Sequence, residues 1–414
     1  MLATLAQDVA RDARLIDPLD VSRAELYRDD VWHAPFRELR ATAPVHYVPH
    51  SDYGPYRSVS TYKGIVEVES LPDLYSSEAG GITIADFRPD IDTRMPMFIA
   101  RDRPVHTGQR RTVAPAFTPS EMARMATDIR RRTAELLDSL TWNTQFDWVD
   151  TVSVELTTQM LAILFDFPWE DRRKLTLWSD WAGDIELVKN EQTRKQRLAY
   201  MFECGSYFKG LWDAKLGKEP TPDLISMMIH PDAMAHMDHN EFIGNLILLI
   251  VGGNDTTRNS MSALAYGLDL FPDERAKLEA DPGLIPNAVS EILRWQTPLA
   301  HMRRTATADT ELDGQRIAEG DKLILWYLSA NRDESVFPDA DRVIVDRPNA
   351  RRHLAFGHGI HRCVGARLAE LQISVLLEQM AKRRMRVNVV GEPERVSACF
   401  VHGYRKLPVE LSKY

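Results

Sequence analysis

Apolar residues along this chain recur mainly at the three- and four-residue spacing of amphipathic helices, and in only a few short runs at the two-residue spacing of strands. Thr118-Pro119-Ser120-Glu121 reads as a capping box with proline at the first helical position, and the amphipathic stretch behind it runs to about Leu140. Thr221-Pro222-Asp223 opens another helix in the same style, and helical stretches lie near 150–165, 171–187 and 195–216. Strand patterns are short: residues 44–48 pair with 56–59, and 322–327 and 408–411 supply others. One helix stands apart. Asp238 with Glu241 is a capped start and Pro272 a stop, which leaves some thirty residues, about 45 Å at 1.5 Å per residue. Its middle is apolar, so it crosses the whole molecule. Yet its centre carries Gly252-Gly253-Asn254-Asp255-Thr256-Thr257, a poor helix-forming, partly charged patch. Propensity is given up there, as happens at functional sites.

Composition narrows the class. Of 414 residues 44% are hydrophobic and 27% charged, an ordinary globular balance, and no linker, repeat or low-complexity run marks a joint. One domain spanning 1–414 is expected. The most apolar run, 242–251, is far shorter than the roughly 20 residues a bilayer helix needs, and the first 17 residues mix Asp and Arg with Leu and Ala. Three cysteines, Cys204, Cys363 and Cys399, make a disulfide framework improbable, so a cytoplasmic protein with no membrane span is expected. The net charge of −9 argues against a nucleic-acid partner. The basic residues still come in clumps (Arg110 and Arg111, Arg130 to Arg132, Arg351 and Arg352), which fit either a solvated face or a docking surface.

The chemistry centres on Phe356-Gly357-His358-Gly359-Ile360-His361-Arg362-Cys363-Val364-Gly365. The glycines let the backbone turn tightly and approach a flat ligand. An apolar helix follows from Val364, so Cys363 stands at a helix N-terminus, where the dipole and free N–H groups stabilise a thiolate and lower its pKa. A lone cysteine is more often a buried structural one. The surrounding Phe, Gly, His, Arg and Gly decide against that here. In the 252–257 patch, Gly252 leaves room beside a planar group and Thr256 lies one turn on, over the same face. A threonine hydroxyl can bond back four residues and bend a helix, and Asp255 can relay protons. Glu291 and Arg294, at i and i+3, can pair.

The cysteine segment closely resembles the haem-binding signature of the cytochromes P-450, and Gly252 to Thr256 resembles the oxygen-activation segment of that superfamily. The resemblance covers nearly the whole chain. It implies a mainly α fold with a small β-rich lobe, and haem b clamped between the long central helix and the cysteine loop. Cys363 is the implied iron ligand, with O2 as co-substrate and Asp255 and Thr256 as catalytic residues. His106, Arg110, Arg304 and His361 match family positions that face the haem propionates, and Phe356, Gly252 and Gly365 complete the implied haem contacts. Glu291 and Arg294 match a buried structural pair, for which Arg342 is the candidate second arginine, although Val343 stands where the family usually has an aromatic.

Within the superfamily the chain is most similar to the soluble bacterial alkane and fatty-acid terminal (omega) hydroxylases. The residues Gly252 to Asn259, Trp295 to Arg304, Val401-His402-Gly403-Tyr404 and Pro44-Val45-His46-Tyr47 carry this; Arg57 departs from an aromatic. The implied activity is terminal hydroxylation of medium-chain n-alkanes or fatty acids, served by a [2Fe-2S] ferredoxin and an NAD(P)H-dependent ferredoxin reductase. The alternatives are a hydroxylase of a terpenoid or aromatic and, more remotely, a haem-thiolate peroxygenase or a non-catalytic haem-binding sensor. By family position the pocket walls come from Ile82, Ile84, Met95, Met97 and Phe98 in one loop, and from Leu248 and Val251 of the long helix. Leu299, Ala300, Met302, Phe400 and Val401 complete the list. All but Ala300 are sizeable apolar residues, as an alkyl chain requires.

Overall fold

The computed structural model describes residues 17–89 and 92–414. The N-terminal segment read above as lacking a leader core lies, apart from Asp17, outside them.

Helix α1 (His33–Thr42) leads into the expected hairpin, β1 (Val45–Val48) and β2 (Tyr56–Val59), with Val45 opposite Val59. Helix α2 (Tyr62–Ser70) follows, capped by the Thr61 hydroxyl, which accepts the Gly64 N–H. Strands β3 (Tyr75–Ser76), β4 (Met302–Ala306) and β5 (Lys322–Leu325) complete a five-stranded sheet in the order β1-β2-β5-β4-β3, in which only β2 and β5 run parallel. The run at 322–327 ends as a strand at Leu325 because Tyr327 opens a one-turn helix. A smaller sheet joins Phe146–Asp147, β6 (Met385–Val389) and β7 (Pro408–Lys413).

The helices of the larger lobe are α3 (Val105–Val113), α4 (Pro119–Asp138), α5 (Glu155–Phe165), α6 (Arg173–Gly183), α7 (Glu191–Lys215), α8 (His239–Leu270), α9 (Ile285–Gln296) and α10 (Ala366–Lys382). Helix α8 is the long one, 32 residues, and its start is the one expected: the Asp238 carboxylate accepts the Glu241 N–H. The α4 capping box does not form. Thr118 Oγ1 turns back to the Pro115 carbonyl and contacts Ser120, while Glu121 pairs with Arg124. The short helix after Thr221-Pro222 is Leu224–Ile229, with Asp223 as its cap.

Helix α8 is packed against α5, α6, α7, α9 and α10. Its first half joins Leu161, Trp178, Phe208, Ile243, Leu246 and Ile250 in one core; its second half joins Met261, Leu264, Leu268, Ile292 and Leu376 in another. Each such side chain stabilises the fold by about 1.5–3 kcal/mol on burial. Between the two cores lies the polar patch, so helix packing on both sides offsets its poor propensity.

The Glu291–Arg294 pair is fully buried, with bonds of 2.8 Å to each carboxylate oxygen. Its second arginine is Arg347, not Arg342. Arg347 Nε lies 3.0 Å from both Glu291 oxygens, whereas the Arg342 side chain points outward to Asp273 at 2.7 Å. Arg342 contributes only its carbonyl, which accepts from Arg294 Nη2 at 2.8 Å. A guanidinium on the outer edge of the turn cannot reach Glu291, and the chain reverses before Arg347 does.

Candidate active site

The cysteine loop is built on its glycines and on one distant carboxylate. Gly357 and Gly359 have φ of +68° and +63°, the left-handed region that only glycine enters cheaply. A Cβ on Gly359 would stand 2.2 Å from the Glu69 carbonyl oxygen. Gly365, expected to serve the turn, has φ −85° and simply caps α10. The loop closes where the Cys363 N–H meets the Phe356 carbonyl at 2.8 Å. Buried Glu69, at the end of α2, accepts the His358 N–H at 2.7 Å, the Tyr327 hydroxyl at 2.5 Å and Arg304 Nη2 at 3.0 Å. Burial pushes the Glu69 carboxyl up, against the pull of Arg304, Tyr327 and the His358 N–H.

Cys363 is solvent-accessible, yet deep enough for burial to push its thiol up. The N–H groups of Gly365 and Ala366 and the charges of Arg110 and Arg362 act the other way. The helix-terminus effect is therefore present, but in the protein alone desolvation outweighs it.

The four propionate candidates come together. The rings of His106 and His361 lie 4.2 Å apart, and both imidazoles feel Arg110, Arg304 and Arg103. Burial, then this crowd of cations, depresses His106 to about 4 and His361 further. Arg304 is also committed to Glu69, and Arg110 donates to the Arg362 carbonyl. Ser77 Oγ meets His361 Nε2 at 3.1 Å. Both ring nitrogens of His106 and the Nδ1 of His361 are buried without a hydrogen-bond partner among the described residues. Buried cations and unpaired imidazole nitrogens concentrated in one place call for anionic oxygens.

On α8, Leu248, Gly252 and Thr256 follow at four-residue spacing on one face, with half-buried Val251 beside them. Gly252 is exposed midway along this helix, and a Cβ there would meet nothing within 4 Å among the described residues. Thr256 Oγ1 donates to the Gly252 carbonyl at 2.9 Å, the expected back-bond. Asp255 is buried against α6.

The pocket candidates fall into two apolar groups. Met95, Phe98, Leu248 and Val251 belong to the first core, where a Cβ on Gly244 would stand 2.1 Å from the Pro96 carbonyl oxygen and Asn245 Oδ1 accepts the Phe98 N–H at 2.9 Å. Those contacts pin the loop that also holds half-buried Met97 to α8. Ile84, Leu299, Ala300, Met302, Phe400 and Val401 form the second group. There the Ile82 carbonyl accepts the Arg303 N–H at 2.9 Å and His301 Nε2 accepts the Ile84 N–H at 3.2 Å.

Sequence reasoning missed Ile185, buried in the second group just beyond α6. It also missed the latch next to it, where Tyr53 donates to Glu186 at 2.5 Å and Lys189 reaches Asp52 and Glu186 at 2.7 and 2.8 Å. Glu69 and Ser77 were missed too. No local pattern marks these residues; Arg258, three residues from Asp255, was open to the i, i+3 rule.

A long helix with an open glycine, a cysteine loop and an anion-seeking cluster of imidazoles and guanidiniums define a haem protein of the oxygen-activating kind. The comparisons name the family. The Cytochrome P450 family pattern matches residues 283–387. The chain is 35% identical to linalool 8-monooxygenase of Pseudomonas putida, over 95% of this chain and 98% of that one. It is 33% identical to methyl-branched lipid omega-hydroxylase of Mycobacterium tuberculosis, over 93% and 92%. Among solved structures, CYP153D17 from Sphingomonas sp. PAMC 26605 superposes with a TM-score of 0.93 at 81% identity, over 96% of this chain and all of that one. Cytochrome P450-153 from Novosphingobium aromaticivorans does so at 0.91 and 61%, over 95% and 100%. The chain belongs to the cytochrome P450 family. It is a monooxygenase that uses haem b and O2 and hydroxylates hydrophobic substrates. Among the described residues no helix is long and apolar enough to cross a membrane.

Proposed function

We propose that this protein is a terminal hydroxylase of medium-chain n-alkanes or fatty acids, working as one domain in the cytoplasm. The observation that carries the reading is the apolar character of the candidate lining: Met95, Phe98, Leu248 and Val251 fall in one hydrophobic core and Ile84, Leu299, Ala300, Met302, Phe400 and Val401 in another. The omega-hydroxylase relative supports it. In this reading Cys363 would hold the haem iron, with Phe356 and Gly365 flanking it, and Gly252 would leave room for the haem. His106, Arg110, Arg304 and His361 would hold the propionates, which would satisfy the ring nitrogens that lack partners among the described residues. Bound haem b supplies the chemistry that puts one oxygen atom of O2 into a C–H bond. The chain's own residues do the rest: the walls orient the alkyl end and exclude water, Asp255 takes up protons from the solvent side, and Thr256 presents a hydroxyl at the open glycine.

A methyl C–H is harder to oxidise than its neighbour, so terminal selectivity depends on a narrow wall. Leu248→Ala shifts product from the terminal to the subterminal alcohol; unchanged regiochemistry counts against this wall. A spectral titration with alkanes, fatty acids and linalool ranks the substrate classes. Tight linalool binding without alkane binding would favour the terpenoid reading that linalool 8-monooxygenase supports. For electron supply we assign a [2Fe-2S] ferredoxin and its NAD(P)H-dependent reductase, docking over Arg351, Arg352 and Arg362 beside the cysteine loop, all exposed. Reversing Arg362 and Arg111 to Glu should slow reduction and flatten its salt dependence.

A further inference from the structure

Helix α6 crosses α8 at the level of Asp255. Ser179 Oγ donates to Asp255 Oδ1 at 2.9 Å, and Arg258 Nη2 donates to the same oxygen at 3.0 Å. The other end of the Arg258 fork, Nη1, reaches Asp180 Oδ1 at 2.8 Å. Asp255 and Arg258 are buried, whereas the Asp180 side chain is 50% exposed. Polar atoms thus run without a break from solvent at Asp180 to the acid beside Thr256. Gly183 belongs to the same arrangement: a Cβ there would stand 2.6 Å from Asp255 Oδ2, so a larger residue would push the carboxylate out of this pose.

We propose that Arg258, shared between Asp255 and Asp180, is a positioning residue that sets the charge and pose of the proton-delivering acid. This rests on the reading of Asp255 as that acid and deepens it. The groups facing Asp255 are Arg258 on α8, Ser179 and Asp180 on α6, and Asp184 just past its end, itself met by Arg405 at 3.4 Å. Burial pushes the carboxyl up to about 6; Arg258 and Ser179 pull it down, and Asp180 and Asp184 push it up. An acid balanced there holds and releases a proton near neutral pH, which a relay requires. The two ends of the Arg258 fork then act with opposite sign. Loss of the cation strands a buried carboxyl in its neutral form. Loss of Asp180 removes a like charge and leaves the whole guanidinium to Asp255.

The test uses the haem-loaded enzyme and two readouts across a pH series. One is the infrared band of the protonated buried carboxyl, identified as the band missing in Asp255→Asn. The other is the fraction of consumed electrons that appears in alcohol and not in hydrogen peroxide. In Arg258→Gln the infrared midpoint should rise by roughly one to three pH units, the range an adjacent opposite charge commands. In Asp180→Asn it should fall, and Arg258→Lys should stay near the parent. The coupling profile should move with each midpoint. Midpoints that stay fixed, or move in the same direction in Arg258→Gln and Asp180→Asn, overturn the proposal. Should Arg258→Gln fail to fold, the downward shift in Asp180→Asn, with its half-exposed side chain, still decides it. If Asp255→Asn leaves coupling intact, the relay reading itself fails; if it uncouples while the midpoints stay fixed, only the role of Arg258 fails.

Discussion

Replacing Glu69 by glutamine tests whether the cysteine loop is held from outside its own sequence. The carboxylate accepts from His358 N–H, the Tyr327 hydroxyl and Arg304, and both side chains of the ion pair are at most 4% exposed. A glutamine keeps one acceptor oxygen, so an amide N–H₂ must face a donor on the other side, and Arg304 loses its counter-charge. Breaking a buried ion pair by removing one partner costs on the order of 3–5 kcal/mol. Taking about 3 kcal/mol, at 1.4 kcal/mol per tenfold, the docked loop loses a factor of about 150 against its undocked state. The His358 backbone lies only five residues before Cys363, so the loss falls on the ligand loop. The assay is transfer of haem to excess apomyoglobin, followed at the Soret band, with a denaturant titration alongside. Transfer should quicken by about a hundredfold while Tyr327→Phe, which removes one neutral donor, costs about 1 kcal/mol and changes it far less. If Glu69→Gln releases haem within threefold of the parent, the carboxylate merely stabilises the end of α2 and the reasoning is wrong.

Two further outcomes concern the framework. Arg347→Ala should cost on the order of 3–5 kcal/mol in denaturant unfolding, because it strips a fully buried carboxylate of a partner, whereas Arg342→Ala, in a half-exposed pair, costs under about 1 kcal/mol. Similar losses at the two positions would reverse the assignment. His301 is fully buried and held neutral, its pKa lowered from 6.5 to about 4 by desolvation. The unfolded chain binds the extra proton between these values, so stability is present above pH 6.5 and lost as pH falls through 4, by about 3 kcal/mol in all. Protonation also turns Nε2 from acceptor to donor and breaks its bond to the Ile84 N–H. Alkane affinity of the folded enzyme should therefore hold steady from pH 6.5 to about 5 and weaken only as pH falls through about 4, and affinity that already drops between pH 6.5 and about 5 in a spectral titration would refute this.

Local signals were legible in the chain. Asp238 and Pro272 bracket α8 correctly, because cap chemistry and hydrophobic spacing act within a few residues. Cys363, the Gly252 face and the Thr256 back-bond follow from short motifs in the same way. The Thr118 box failed because a neighbouring carbonyl and hydroxyl outcompete the N-terminal N–H groups for that side chain. What could not be read depends on long-range geometry. Arg342 and Arg347 are equally placed in sequence, and only the path of the turn separates them. Glu69 lies more than 200 residues from each of its three partners, so no pattern around it announces the clamp. Ile185 looks like any apolar residue after a helix until α6 carries it into the core that also holds Phe400.

The Tyr53–Glu186–Lys189–Asp52 latch bears on how rates in this enzyme respond to ionic strength. Lys189 and Asp52 are partly exposed, and dissolved ions compete with contacts of that kind. Raising salt therefore loosens the tie between the β1–β2 turn and the segment after α6 while also weakening any charge-guided meeting with an electron donor. A falling turnover curve sums both effects. Stopped-flow entry of a neutral alkane, recorded with no donor protein present, isolates the first, and subtracting it leaves the true slope for docking.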